Sequence, residues 1–152
     1  MAKILGIIGG GQLGLMLTEA AKKMPEHISE IIVLDPTQNC PASKAGAKEI
    51  TADFKDEVAI SELAEKCDII TYEIESGNSE VLKKLESKCT INPSPDTLKI
   101  IQDKLEQKKF LSKNNIQVAE FAEVNTLDEL KKTTDHFGLP VLLKVRRDAY
   151  DG

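Results

Sequence analysis

The sequence contains no tryptophan, and aromatic residues fill only 4% of its 152 positions. A core must therefore be assembled from Ile, Leu, Val and Ala. Only two histidines occur, His27 and His136, too few for a histidine-based metal site. The three cysteines, Cys40, Cys67 and Cys89, are odd in number, far apart and without a CxxC pair. Neither a zinc site nor a disulfide framework is signalled, and they read as small buried hydrophobes. No apolar run approaches the roughly 20 residues that span a bilayer. The apolar stretch after Met1-Ala2-Lys3 is too short for a signal peptide. Basic residues form no cluster, and a formal net charge of −5 repels a phosphate backbone. These absences exclude membrane and nucleic-acid partners and point to a cytoplasmic protein. With 41% hydrophobic and 30% charged residues, the composition is that of one globular domain, or one domain and a fragment.

What is present is an alternation of patterns. Ile4-Leu5-Gly6-Ile7-Ile8 is a short, nearly continuous apolar run, as in a parallel strand buried on both faces. Gly9-Gly10-Gly11 breaks it. Leu13, Met16, Leu17, Ala20, Ala21 and Met24 then recur at helical spacing. Ile31-Ile32-Val33-Leu34 reads as a second strand ending at Asp35-Pro36, and the three pieces make a βαβ unit. The pattern repeats through a loop over 37–48, a short strand at Glu49-Ile50-Thr51 and a helix over 56–66. A strand from Asp68 to Tyr72, a helix over 78–87 and a short strand at Thr90-Ile91 follow. Residues 1–92 are thus predicted to form an α/β domain, an open, mostly parallel, Rossmann-like sheet with helices on both faces.

Asn92-Pro93-Ser94-Pro95 marks a boundary, with Ser94 suited to cap a helix and Pro95 to its first position. One helix is predicted from there to about Asn114, with Leu98, Ile101 and Leu105 on one face. A strand from Glu120 to Val124 comes next. Thr126-Leu127-Asp128-Glu129 is a capping box, in which hydroxyl and carboxylate satisfy each other's backbone donors. That helix should end at Gly138, with Pro140 just beyond. The run Val141 to Arg146 is a last strand leading to Tyr150-Asp151-Gly152. An edge strand with no following partner leaves backbone groups unpaired, so residues 93–152 look like an incomplete second unit.

Gly9, Gly11 and Gly14 fit G-x-G-x-x-G between a strand and a helix. Asp35 follows 21 residues after Gly14, near the place of a ribose-binding acid in dinucleotide folds. Taken alone, these residues allow a turn that merely packs helix on strand. They also allow an NAD(P)-binding Rossmann oxidoreductase module, or a site where helix N-terminal amides meet an anion. Pro36 directly after Asp35, and no second half of a dehydrogenase, weigh against the oxidoreductase. A non-catalytic α/β subunit that binds a partner through its second unit is a further alternative.

Six segments, in order along the whole chain, carry a resemblance. They are Gly9-Gly10-Gly11-Gln12-Leu13-Gly14, Leu34-Asp35-Pro36, Cys40-Pro41-Ala42, Thr71-Tyr72-Glu73-Ile74-Glu75, Gln102-Asp103-Lys104 and Tyr150-Asp151-Gly152. In them the sequence resembles the carboxyaminoimidazole ribonucleotide synthetases, also called the ATPase subunit of phosphoribosylaminoimidazole carboxylase. These are ATP-grasp ligases of purine biosynthesis. The resemblance implies a pre-ATP-grasp, substrate-binding domain over 1–92, followed over 93–152 by a linker helix and the truncated start of an ATP-grasp domain. It implies an ATP-dependent carbon–nitrogen ligase, a homodimer at full length. ATP phosphorylates bicarbonate to carboxyphosphate, the carboxyl group passes to the amine of aminoimidazole ribonucleotide, and Mg2+ bridges the phosphates.

Residue by residue, the resemblance implies that Gln12 and Leu13 contact the ribonucleotide. It makes Glu73 a substrate-binding acid and Glu75 a second candidate. Lys104 and Lys144 match ATP-binding cations, each a point charge for phosphate oxygens. Tyr150, Asp151 and Gly152 match the opening of a phosphate-covering glycine-rich loop. The catalytic residues and the magnesium carboxylates are then expected beyond Gly152, with no metal ligand in this chain, and residues 1–152 alone are expected to be inactive. Two departures stand out. Asp148-Ala149 occupies the place of the usual glycine before Tyr-Asp-Gly. Glu73-Ile74-Glu75-Ser76-Gly77 replaces Glu-Phe-Glu-Asn-Val and resembles in part the formate-dependent glycinamide ribonucleotide transformylase. Gln12 favours the carboxylating family, because that relative carries Glu there.

Overall fold

Strand β1 (Lys3–Ile8) carries Ile7 and Ile8 side by side in sequence, and both are completely buried. Neighbours on a strand point to opposite faces, so both faces of β1 must be covered. The topology supplies the cover. Strands β2 (Ile28–Asp35), β3 (Lys48–Thr51), β4 (Ile69–Tyr72) and β5 (Thr90–Ile91) join β1 in a five-stranded sheet of order β3-β2-β1-β4-β5. Every neighbouring pair is parallel. The open parallel α/β architecture expected for residues 1–92 is therefore the one found in this computed structural model, which describes residues 1–148.

Helices α1 (Gln12–Lys22) and α2 (Pro41–Lys44) pack together, as do α3 (Glu57–Lys66) and α4 (Ser79–Leu85). Right-handed crossovers that run one way from β1 to β3 and the other way from β3 to β5 put these pairs on opposite faces. On one face Ile7 joins Ala21, Val33, Cys40, Ala42 and Ala47. On the other, the next residue in the pleat, Gly6, lies against Leu63, Cys67 and Ile70. All three cysteines are free and buried, and burial pushes the Cys67 thiol up to about 12. No helix among the described residues is long and apolar enough to cross a membrane.

The chain divides into two compact units, Met1–Lys99 and Ile100–Gly152. Tyr150, Asp151 and Gly152, assigned to the phosphate-covering loop, lie outside the described residues. Several sequence expectations change in detail. The loop over 37–48 contains the one-turn helix α2 and the first residue of β3. The single helix from Pro95 to about Asn114 is two, α5 (Pro95–Ile101) and α6 (Lys104–Lys113). Asp103 divides them because its carboxylate accepts the Leu105 and Glu106 N–H groups at 3.0 and 3.2 Å, and so caps a new helix. Residues 120–124 and 141–146, predicted as strands, are in no ladder among the described residues, and a strand exists only through its hydrogen-bonded partner. Thr126 caps α7 (Leu127–Phe137) as expected. Glu129, however, accepts the N–H of Asn125 at 2.7 Å, one residue earlier than the capping box predicts.

The tightest approach in the first unit lies where α1 meets the end of β1. A methyl group on Gly14 would sit 2.2 Å from the Gly9 carbonyl oxygen, a backbone atom that no side-chain rotation removes. Gly14→Ala is expected to cost about 3 kcal/mol, the upper end of the usual cost of overpacking. Urea unfolding followed by far-ultraviolet circular dichroism measures it, and a loss below about 0.5 kcal/mol would show that α1 can withdraw from the turn.

Candidate functional site

In a sheet of order β3-β2-β1-β4-β5, the chain leaves β1 in one direction and returns past it to β4. The carboxyl ends of β1 and β4 therefore flank the crevice where open α/β sheets take ligands. The glycine turn follows β1, and Glu73 follows β4 directly, with its N–H bonded to the Ile8 carbonyl at 3.1 Å.

The turn is held from behind. Asp35, at the end of β2, accepts the Gly10 N–H at 2.7 Å and the Thr37 N–H at 2.8 Å. The Ala42 N–H reaches the Gly10 carbonyl at 3.0 Å. Asp35 is buried, and each of its oxygens is engaged by backbone, so it is an internal clamp and not an acid presented to a ribose. That removes the feature on which the NAD(P) reading leaned. The glycines divide their tasks. Gly9 has φ +104, and a methyl on Gly10 would lie 2.4 Å from Cys40 Sγ. The same construction on Gly11 meets nothing nearer than Glu73 Oε1 at 3.8 Å, which leaves the backbone there open to a ligand. Gly11 gives α1 no side-chain cap, and the first turn contains no acidic residue.

Gln12 is the first residue of α1 and is exposed, as is Leu13 beside it. Glu73 is half-buried against Gly9 and Gly11, and Glu75 is exposed. The four residues assigned to the ribonucleotide thus belong to the two segments that leave β1 and β4. Burial, reinforced by the charges of Asp35 and then Glu75, raises the Glu73 carboxyl above the ordinary carboxylate range.

The second unit contains a cleft of about 570 Å3. Lys104, the first residue of α6, and Lys144 both line it, together with Phe121, Val124, Leu142 and Arg146. The two lysines assigned to ATP are therefore brought to one cavity, a mostly apolar one with cations at its edge. Sequence reasoning missed what holds that edge. Asp103 is completely buried and accepts Arg146 Nε and Nη2 at 3.1 and 2.6 Å and Arg147 Nε at 3.1 Å. The Arg146 guanidinium keeps its carboxyl well below the usual carboxylate range. The adjacent arginines and the quoted Gln102-Asp103-Lys104 segment were the available signal. Among the described residues no group of three or more His, Cys, Asp or Glu is placed to hold a metal ion.

The ribonucleotide synthetase preATP-grasp domain family matches residues 1–102. The chain belongs to this family. Residues 109–152 of the same preATP-grasp protein match the ATP-grasp domain. It is 38% identical over 148 residues to an N5-carboxyaminoimidazole ribonucleotide synthase of Staphylococcus epidermidis, a match covering 97% of this chain and 39% of that protein. The chain thus spans about two-fifths of the length of the curated relatives it matches. The N5-carboxyaminoimidazole ribonucleotide synthetase of Thermotoga maritima superposes with a TM-score of 0.86 at 45% identity, over 96% of this chain and 39% of that one. The Aspergillus clavatus synthase, solved with ADP and aminoimidazole ribonucleotide, gives 0.83 at 37% identity, over 91% and 37%. A glycinamide transformylase structure from Mycobacterium tuberculosis, at 18% identity, shares the fold alone.

The raised Glu73 carboxyl has a consequence for stability. An acid that holds its proton more tightly in the folded state favours folding fully below its unfolded value. That contribution is lost as pH rises through the folded value. Above that folded value the Glu73 charge is therefore a burden on this preATP-grasp domain. Glu73→Gln is expected to leave the melting temperature nearly unchanged at pH 4 and to raise it at pH 7. Differential scanning calorimetry at the two pH values checks this, and an equal shift at both would show that the charge is not strained.

Proposed function

We propose that this protein is part of an ATP-dependent carbon–nitrogen ligase of purine biosynthesis that carboxylates aminoimidazole ribonucleotide. The observation that carries the reading is likeness at 36–45% identity across almost the whole chain to N5-carboxyaminoimidazole ribonucleotide synthetases. The chemistry of the crevice is compatible with such a substrate. A phosphate is repelled by Glu73 and attracted by the uncapped amides of α1. Ribose hydroxyls are the donors a carboxylate accepts. In the proposal the phosphate therefore lies at the start of α1, Gln12 and Leu13 flank it, and Glu73, with Glu75 behind it, receives the ribose.

Lys104 and Lys144 are proposed to take the phosphates of ATP. Tyr150, Asp151 and Gly152 are proposed to begin the loop over them. ATP passes its terminal phosphoryl group to bicarbonate, giving carboxyphosphate and ADP. The substrate amine then attacks the carboxyl carbon, and inorganic phosphate leaves. Magnesium would neutralise the phosphate charges. The described residues provide no ligand set for it. We further propose residues 1–92 as the ribonucleotide domain and 93–152 as the opening of the nucleotide domain, in a cytoplasmic homodimer.

In the full-length ligase, Glu73→Ala is expected to raise KM for the ribonucleotide about tenfold or more, as the loss of a charged hydrogen bond does, with little change in KM for ATP. Lys144→Met should do the reverse. Steady-state kinetics with each substrate varied in turn decides it, and interchanged effects would refute the assignment. Residues 1–152 alone are expected to release no phosphate above background from ATP with magnesium, bicarbonate and ribonucleotide. Ribonucleotide-dependent release at an enzyme-like rate would overturn that.

A further inference from the structure

Asp103 is the one completely buried charged side chain in the protein, among the described residues. Its partners come from two places far apart in sequence. Oδ1 accepts the N–H groups of Leu105 and Glu106, which start α6, and Nε of Arg146. Oδ2 accepts Nη2 of Arg146 and Nε of Arg147. A backbone bond runs parallel to this clamp, from the Lys104 N–H to the Arg146 carbonyl at 2.9 Å. Arg146 extends the network to Glu123. Beyond residue 99, Asp103 and Leu105 are the only buried residues among the described ones. The two lysines of the cleft each sit close to the clamp: Lys104 follows Asp103 directly, and Lys144 precedes Arg146 by two residues.

We propose that Asp103 is a positioning residue for the nucleotide. It binds the start of α6 to the segment 144–147 and so sets the spacing of Lys104 and Lys144 across the cleft. It touches no substrate. This inference rests on the nucleotide reading of the cleft and deepens it. Lysine is a flexible point charge, so the phosphate geometry has to come from the backbone that carries it. A planar guanidinium forked onto a carboxylate fixes both distance and orientation.

The test uses the full-length ligase. Asp103→Ser keeps an oxygen that can cap α6 and removes the charged, two-oxygen carboxylate onto which both arginines converge. Arg146→Lys keeps the charge and removes the fork. Asp103→Ser is expected to raise KM for ATP at least tenfold and to leave KM for the ribonucleotide within twofold, with an unchanged far-ultraviolet spectrum. Arg146→Lys should give a smaller rise of the same kind, and the double variant should be no worse than Asp103→Ser alone, because both act through one clamp. An unchanged KM for ATP in a folded Asp103→Ser, fully additive effects, or a parallel rise of both KM values would each overturn the proposal. If Asp103→Ser does not fold, Arg146→Lys decides by the same criterion. Lys144→Met separates the two levels. If it leaves KM for ATP unchanged, the nucleotide reading itself fails. If it raises KM while the clamp variants do not, the cleft binds nucleotide and only the positioning role is refuted.

Discussion

Gly10 is fixed through both its N–H and its carbonyl by a single stretch of chain, and the arrangement of the crevice follows from that. Its N–H goes to the buried carboxylate of Asp35, and its carbonyl receives the N–H of Ala42. The stretch between them is itself restrained, since Glu49 on β3 accepts the N–H groups of Asn39 and Cys40. A buried carboxylate or amide left without its partner costs far more than the bond contributes when made. The end of β2, the start of α2 and the turn after β1 therefore cannot drift apart independently. With Gly10 fixed, Gly9 takes its positive φ, Gly14 comes to rest on the Gly9 carbonyl, and α1 starts at a defined point beside the end of β4.

That clamp also sorts the acidic residues at this edge of the sheet. Asp35 and Glu73 are chemically alike and near enough for the charge of one to act on the other. Asp35 is enclosed and saturated by backbone donors, so it organises. Glu73 faces the open side of the turn, half-buried, and carries the unfavourable part of the electrostatics. A carboxylate kept under such tension gains more than a solvated one would from a partner that donates hydrogen bonds, because the partner replaces water it has already lost.

The first unit was largely legible. A run such as Ile4-Leu5-Gly6-Ile7-Ile8 admits few readings other than a strand covered on both faces, and the 3.6-residue recurrence after Gly11 admits few other than a helix. The places that escaped share a cause: they depend on partners distant in sequence. Nothing near Asp103 announces a helix break, because the arginines that draw its carboxylate inward lie more than forty positions away. Asp35 stood at a plausible distance for a ribose-binding acid, and only its bond to Gly10 across the sheet edge shows it to be internal. Helix α2 is a single turn, too short for a periodic pattern to appear. For the candidate site, the glycine motif and the family resemblance proposed Gln12, Glu73, Lys104 and Lys144. What fixes those residues in place was not visible in the same way.

The two units are held by different forces. Residues 1–99 bury side chain upon side chain of Ile, Leu, Val and Ala, whereas the described residues beyond them bury only Asp103 and Leu105. The heat-capacity change of unfolding follows the apolar surface exposed. The buried sheet of the first unit carries a large share of it, and the stability of that unit is a curved function of temperature. On cooling, hydrophobic cohesion fades, and the sheet loses part of its advantage.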